Sequence, residues 1–125
     1  MKDATANGLT PAYLQLCRQH RQTIRQLFQP APWDWILGPD GISRTGVSIR
    51  PLDEDEIVIP RLERLIRQLR QHTKVVVIDC LPQDFACLAF DDDGSTLANV
   101  VAGDPEEAAF RALLLLASGR AGNSH

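Results

Sequence analysis

The stretch from Lys74 to Ala102 constrains this chain most, because it spells three strand patterns in succession. Val75-Val76-Val77-Ile78, inside Lys74 to Cys80, is an unbroken β-branched run, and Phe85-Ala86-Cys87-Leu88-Ala89-Phe90 is apolar at every position. Such side chains suit a packed, pleated surface, and runs without alternation suit strands covered on both faces. Asp91-Asp92-Asp93-Gly94-Ser95 has the residues of a turn, and Thr96 to Ala102 returns as the next strand. The three predict an antiparallel meander.

The segment behind the meander is the clearest helix. Asp104-Pro105-Glu106-Glu107 combines an N-cap residue, a proline at the first helical position and a carboxylate three residues after the cap. Phe110 and the run Leu113 to Leu116 exceed what one narrow stripe can hold, which predicts wide burial in the monomer or against a second subunit. Ser118-Gly119 is expected to end it.

Two more helices are expected upstream. Thr10-Pro11 opens the first, with Tyr13, Leu14, Cys17, Ile24, Leu27 and Phe28 as its buried stripe, and Pro30 and Pro32 close it. The second runs from about Pro60 to His72 on a stripe of Leu62, Leu65, Ile66 and Leu69. Between them, Trp33 to Leu37 and Val47 to Arg50 read as strands of a hairpin with a long connection through the Gly38-Pro39-Asp40-Gly41 turn. Trp33 and Trp35 share a strand face and are read as core. The acids Asp53, Glu54, Asp55 and Glu56 are read as favourable charge ahead of the second helix.

The expectation is therefore an α+β fold, an antiparallel sheet of four or five strands covered by three helices. At 125 residues and 44% hydrophobic content, one compact domain over 10–118 fits the capacity to bury a core, with a flexible arm at 1–9 and a flexible tail at 119–125. The start carries no apolar leader, no run approaches a membrane span, and three cysteines make no dense disulfide framework. These features predict a cytoplasmic protein.

Charge is segregated along the chain. From Val75 to Phe110 there are eight acids and no base, and from Ala4 to Trp33 three arginines and no acid. A net charge of −3 argues against a general polyanion binder. The arginines Arg18, Arg21, Arg25, Arg61, Arg64, Arg67 and Arg70 nevertheless form a candidate partner-binding set, since the guanidinium fork suits phosphate and carboxylate. The competing readings are solvated helix faces, whose arginine stems cover apolar surface, and internal pairing with the acidic loops.

No catalytic, cofactor or metal site is expected. Cys17 and His20 share a helix face but supply only two ligands, and Cys80, Cys87, His72 and His125 complete no set. Placing Gly94 at the glycine of a calcium loop puts Ala89 and Val100 at its first and twelfth positions, where carboxylates are required. Cys80 and Cys87 are read as free buried thiols on neighbouring strands, with a disulfide as the alternative. Asp79 and Asp84 bracket a loop after a strand, a place where catalytic carboxylates occur, without a nucleophile or base in any motif.

Ile59-Pro60-Arg61-Leu62-Glu63-Arg64-Leu65-Ile66-Arg67-Gln68-Leu69, followed by Asp104-Pro105-Glu106-Glu107-Ala108-Ala109-Phe110-Arg111-Ala112-Leu113-Leu114, resembles small uncharacterised bacteriophage and prophage proteins of the helix–sheet–helix sandwich kind. The resemblance implies an α+β sandwich and supplies no catalytic residue. The functional expectation is a non-catalytic binding or accessory protein acting on a host protein. The alternatives are a nucleic-acid-associated protein using the arginine helices and a small enzyme with a carboxylate site. A homodimer through the Leu113–Leu116 helix or the Trp33–Trp35 strand is a further expectation.

Overall fold

The computed structural model describes residues 8–122. The expected arm therefore falls outside the described residues up to residue 7, as do residues 123–125 of the expected tail. The fold is α+β, and its contacts divide it into two compact units, 1–60 and 61–125.

The first unit opens with α1 (Pro11–Gln19) and α2 (Arg21–Leu27). Thr10 caps α1 as its sequence implies, its Oγ1 accepting the Tyr13 N–H at 3.1 Å. The single long helix expected here is broken at His20, whose backbone leaves helical geometry at φ −120° and ψ 36°. From Arg18 to Thr23 no side chain is apolar, so nothing ties two full turns to the core. Cys17 before the break and Ile24 after it are both fully buried.

Strand β1 (Trp35–Gly38) lies between β2 (Gly41–Arg44) and the short β3 (Ile57–Val58), all antiparallel. The turn was legible but its second arm was not. Gly38 pairs with Gly41 across Pro39-Asp40, and such a tight loop fixes the register of the residues next to it. The partner of β1 is consequently Gly41–Arg44, and Val47 to Arg50 lies outside any strand, with Val47 and Ile49 exposed. Gly41 takes φ +135°, which a side chain would oppose.

The second unit holds α3 (Leu62–Leu69), the meander β4 (Val75–Cys80), β5 (Phe85–Phe90) and β6 (Thr96–Ala102), and α4 (Pro105–Gly122). The meander forms as its sequence predicts, in the order β4-β5-β6. Asp104 caps α4, its Oδ1 accepting the Glu107 N–H at 2.7 Å. Ser118-Gly119 does not end α4, which continues to Gly122. One glycine without a turn behind it weakens a helix by only about 1 kcal/mol.

Two three-stranded sheets and four helices among the described residues thus replace the expected single sheet of four or five strands with three helices. Four of the six strands were visible in the sequence, and Gly41–Arg44 and Ile57–Val58 were not. Which strands share a sheet is a long-range choice that local patterns do not encode.

Candidate binding surface

The register of the meander assigns every side chain to one of two faces, since neighbours along a strand alternate. On one face lie Val76, Ile78, Phe85, Cys87, Ala89, Ala98 and Val100, with Cys87 and Ala89 fully buried. Helix α4 packs against β5 and β6 and supplies Ala108, Ala109, Phe110, Ala112 and Leu113, all fully buried. Small residues on both sides let helix and sheet approach closely.

The opposite face carries Val75, Val77, Leu88, Phe90, Leu97 and Val101, with Asp79 and Asn99 among them. It is open. Val75 is 49% exposed, Val77 40%, Leu97 39% and Val101 54%. This corrects the expectation that Val75–Cys80 is covered on both faces: its outward side chains are in solvent. The outer face of an antiparallel sheet is ordinarily polar, whereas this one is apolar at its centre. With three strands about 4.8 Å apart and six residues of about 3.4 Å each, the whole face, its polar positions included, measures roughly 300 Å², at the lower end of the largest apolar patches on monomers, which are often functional.

Acids stand at both ends. Asp79 and Asp84 mark the β4–β5 end, where Leu81 N–H bonds the Asp84 carbonyl at 2.9 Å. Asp91, Asp92 and Asp93 make the β5–β6 turn at the other. There Asp91 Oδ1 accepts the Asp92 N–H at 2.8 Å and Asp93 Oδ1 the Ser95 N–H at 2.9 Å. The Ser95 bonds hold the Asp93 carboxyl below its usual range. Lys74 lies 3.9 Å from Asp92, an exposed and loose pair.

The arginines read as a partner-binding set fall into two groups, Arg18, Arg21 and Arg25 in the first unit and Arg61, Arg64, Arg67 and Arg70 in the second. Arg21, Arg25, Arg61 and Arg67 are among those with internal partners. Arg21 donates to the Glu54 carbonyl, and Arg25 to the carbonyls of Asp53 and Glu56. The acidic segment is thereby gripped through its backbone, which no charge pattern announces. Arg61 Nε meets Glu106 Oε2 at 2.6 Å, with the Glu106 side chain nearly buried, and Arg67 meets Glu63 at 2.8 Å one helical turn away. Arg18 and Arg21 line a cleft of about 180 Å³ with Leu37, Pro39, Asp55 and Ile57. Arg64 is partly exposed and Arg70 exposed.

The acids Asp53 to Glu56 do not precede a helix directly. Glu56 instead takes both Arg50 guanidinium nitrogens, at 2.7 and 2.9 Å, and the Asp53 N–H at 2.9 Å. These bonds, the Arg50 contact foremost, hold its carboxyl down to about 2.

The expected Trp33–Trp35 core pair does not form. Trp33 lies outside β1 at φ 67° and is 56% exposed, a left-handed conformation that is uncommon for an aromatic residue. The Asp34 and Thr45 side chains bond neighbouring backbone groups around it. Trp35 is half-buried, with the Arg44 guanidinium 4.6 Å over its ring. Of the leucine run, Leu113 and Leu116 are buried and Leu115 is exposed.

The three cysteines are free thiols. Cys87 pairs in register with Ile78 and Cys80 with Phe85, so the two thiols are offset rather than opposite. Cys17 and Cys87 are buried, whereas Cys80, at the end of β4, is exposed rather than buried as expected. Among the described residues no group of three or more histidines, cysteines and carboxylates is placed to hold a metal ion, and no helix is long and apolar enough to cross a membrane. Asp79 and Asp84 are both exposed.

The sequence reading missed the open face because uniform apolar runs hide strand parity. The available signal was numerical: runs apolar on both sides imply two covering layers, and only one strongly apolar helix follows them. No protein-family model matches the chain, and no curated protein or solved structure is significantly similar to it.

Proposed function

We propose that this chain is a non-catalytic binding protein whose working surface is the open face of the β4-β5-β6 sheet. The observation that carries the reading is the exposure of Val75, Val77, Leu97 and Val101 on one sheet face, while α4 packs on the reverse against β5 and β6. An apolar patch kept in water costs solubility and is retained where a partner covers it. Asp79 and Asp84 at one end, and Asp91 to Asp93 with Lys74 beside them at the other, give that surface a net negative charge, which steers partners of the other sign.

The test is a variant with Val77→Asn and Val101→Asn. Both side chains point to solvent, so the thermal midpoint should stay near that of the parent chain. Affinity capture from a lysate of the source cells should lose the proteins the parent chain retains. Retention of the same proteins by a folded variant would refute the reading.

A further inference from the structure

The open face has a length and a charge frame that together define what fits it. Its six-residue strands span about 20 Å from the Asp79 and Asp84 end to the Asp91–Asp93 end, with the apolar side chains between. A helix rises about 1.5 Å per residue, so about 14 residues match that span. Sheets in layered folds cover their apolar faces with helices, as α4 already does on the reverse.

Resting on the reading of this face as a binding surface, we propose that its occupant is an amphipathic helix of a partner protein, apolar along one side and carrying lysine or arginine at both ends. Leu88 and Phe90, only partly exposed between the outer strands, form the floor, and Val77 and Val101 form the two sides. Basic ends would meet Asp79 and Asp84 at one end of the floor and Asp91 to Asp93 at the other. At the second end Lys74 lies 3.9 Å from Asp92 and Arg70 lines a cleft with Asp91 and Asp92, so three carboxylates stand against two cations there and the net sign stays negative.

A second copy of the chain fits less well on charge. Both of its ends are acidic, so stacking two copies in either direction sets acid against acid, which disfavours the pair.

The probe is a fluorescein-labelled synthetic helix of about 14 residues with leucines at helical spacing and two lysines at each end. Anisotropy at low salt should show saturable binding at one peptide per chain, with peptide helicity rising by circular dichroism. Affinity should fall at least about tenfold in the folded Val77→Asn, Val101→Asn variant, as for an interface that loses central apolar contacts. Asp79→Asn with Asp84→Asn should lessen the salt dependence, and a peptide with glutamate for lysine should not bind.

Equal binding to parent and variant, or binding without gain of helix, would overturn the proposal. Self-association in sedimentation that the same valine changes abolish would also overturn it, placing a second copy on the face and leaving the binding-surface reading standing. If the valine changes alter peptide binding, self-association and lysate capture not at all, both fall together.

Discussion

Replacement of Asp104 tests the element on which the second unit depends, because α4 covers the β5 and β6 strands on one face of its sheet. Asp104 is 8% exposed, and its Oδ1 accepts the Glu107 N–H at 2.7 Å, a short bond of the charge-assisted kind. In Asp104→Ala that donor loses its acceptor where little water reaches it. Loss of an N-cap costs about 1 kcal/mol on average and up to about 2, and burial places this one near 2. With a urea slope of about 1.5 kcal/mol per molar, the unfolding midpoint should fall by about 1.3 M. Asp104→Asn keeps an acceptor of the same shape and gives up only the charge at the positive helix end. It should cost about 0.5 kcal/mol, or about 0.3 M. Far-UV circular dichroism is the proper readout, because both tryptophans lie in the first unit. An alanine variant with a midpoint within about 0.2 M of the parent, at unchanged slope, would refute the argument that this cap holds α4 in place.

Two further outcomes follow from the titrating groups. Glu56 is held down to about 2 by Arg50 and the Asp53 N–H, below its unfolded value of about 4.3. Its contribution to stability is therefore complete above about pH 5 and is lost as the pH falls toward 2; Glu56→Gln should flatten that part of the stability profile and leave the slope above pH 6 unchanged, as read by urea titrations across the range. Burial pushes the Cys87 thiol up to about 11, and Cys17 is fully buried while Cys80 is exposed. Ellman's reagent at pH 8 should accordingly modify one thiol per native chain rapidly, a reaction that Cys80→Ser removes, and all three only in denaturant; rapid reaction of a second native thiol would contradict this packing.

Several features of this protein were decided within a few residues and were legible for that reason. The caps at Thr10 and Asp104 formed because each places a side-chain oxygen within reach of a nearby N–H, a matter of local geometry. The β4-β5-β6 meander formed because its runs and its Asp-rich turn prefer that arrangement on their own. The turn at Pro39-Asp40 is equally local.

Tertiary structure decided the rest. Whether the strands join one sheet or two, where a polar stretch at His20 bends a helix, and whether Trp33 is inside or out all depend on neighbours far along the chain. Arg21 and Arg25 read as partner-binding, solvated or internally paired charge alike, and only folding brings the carbonyls of Asp53, Glu54 and Glu56 to them. The open face is the sharpest case. Val75, Val77, Leu97 and Val101 are apolar in the sequence whichever way they point, and only the count of layers packed on the sheet leaves them in water. Hydrophobicity is a property of the residue, whereas burial is a property of the packing around it.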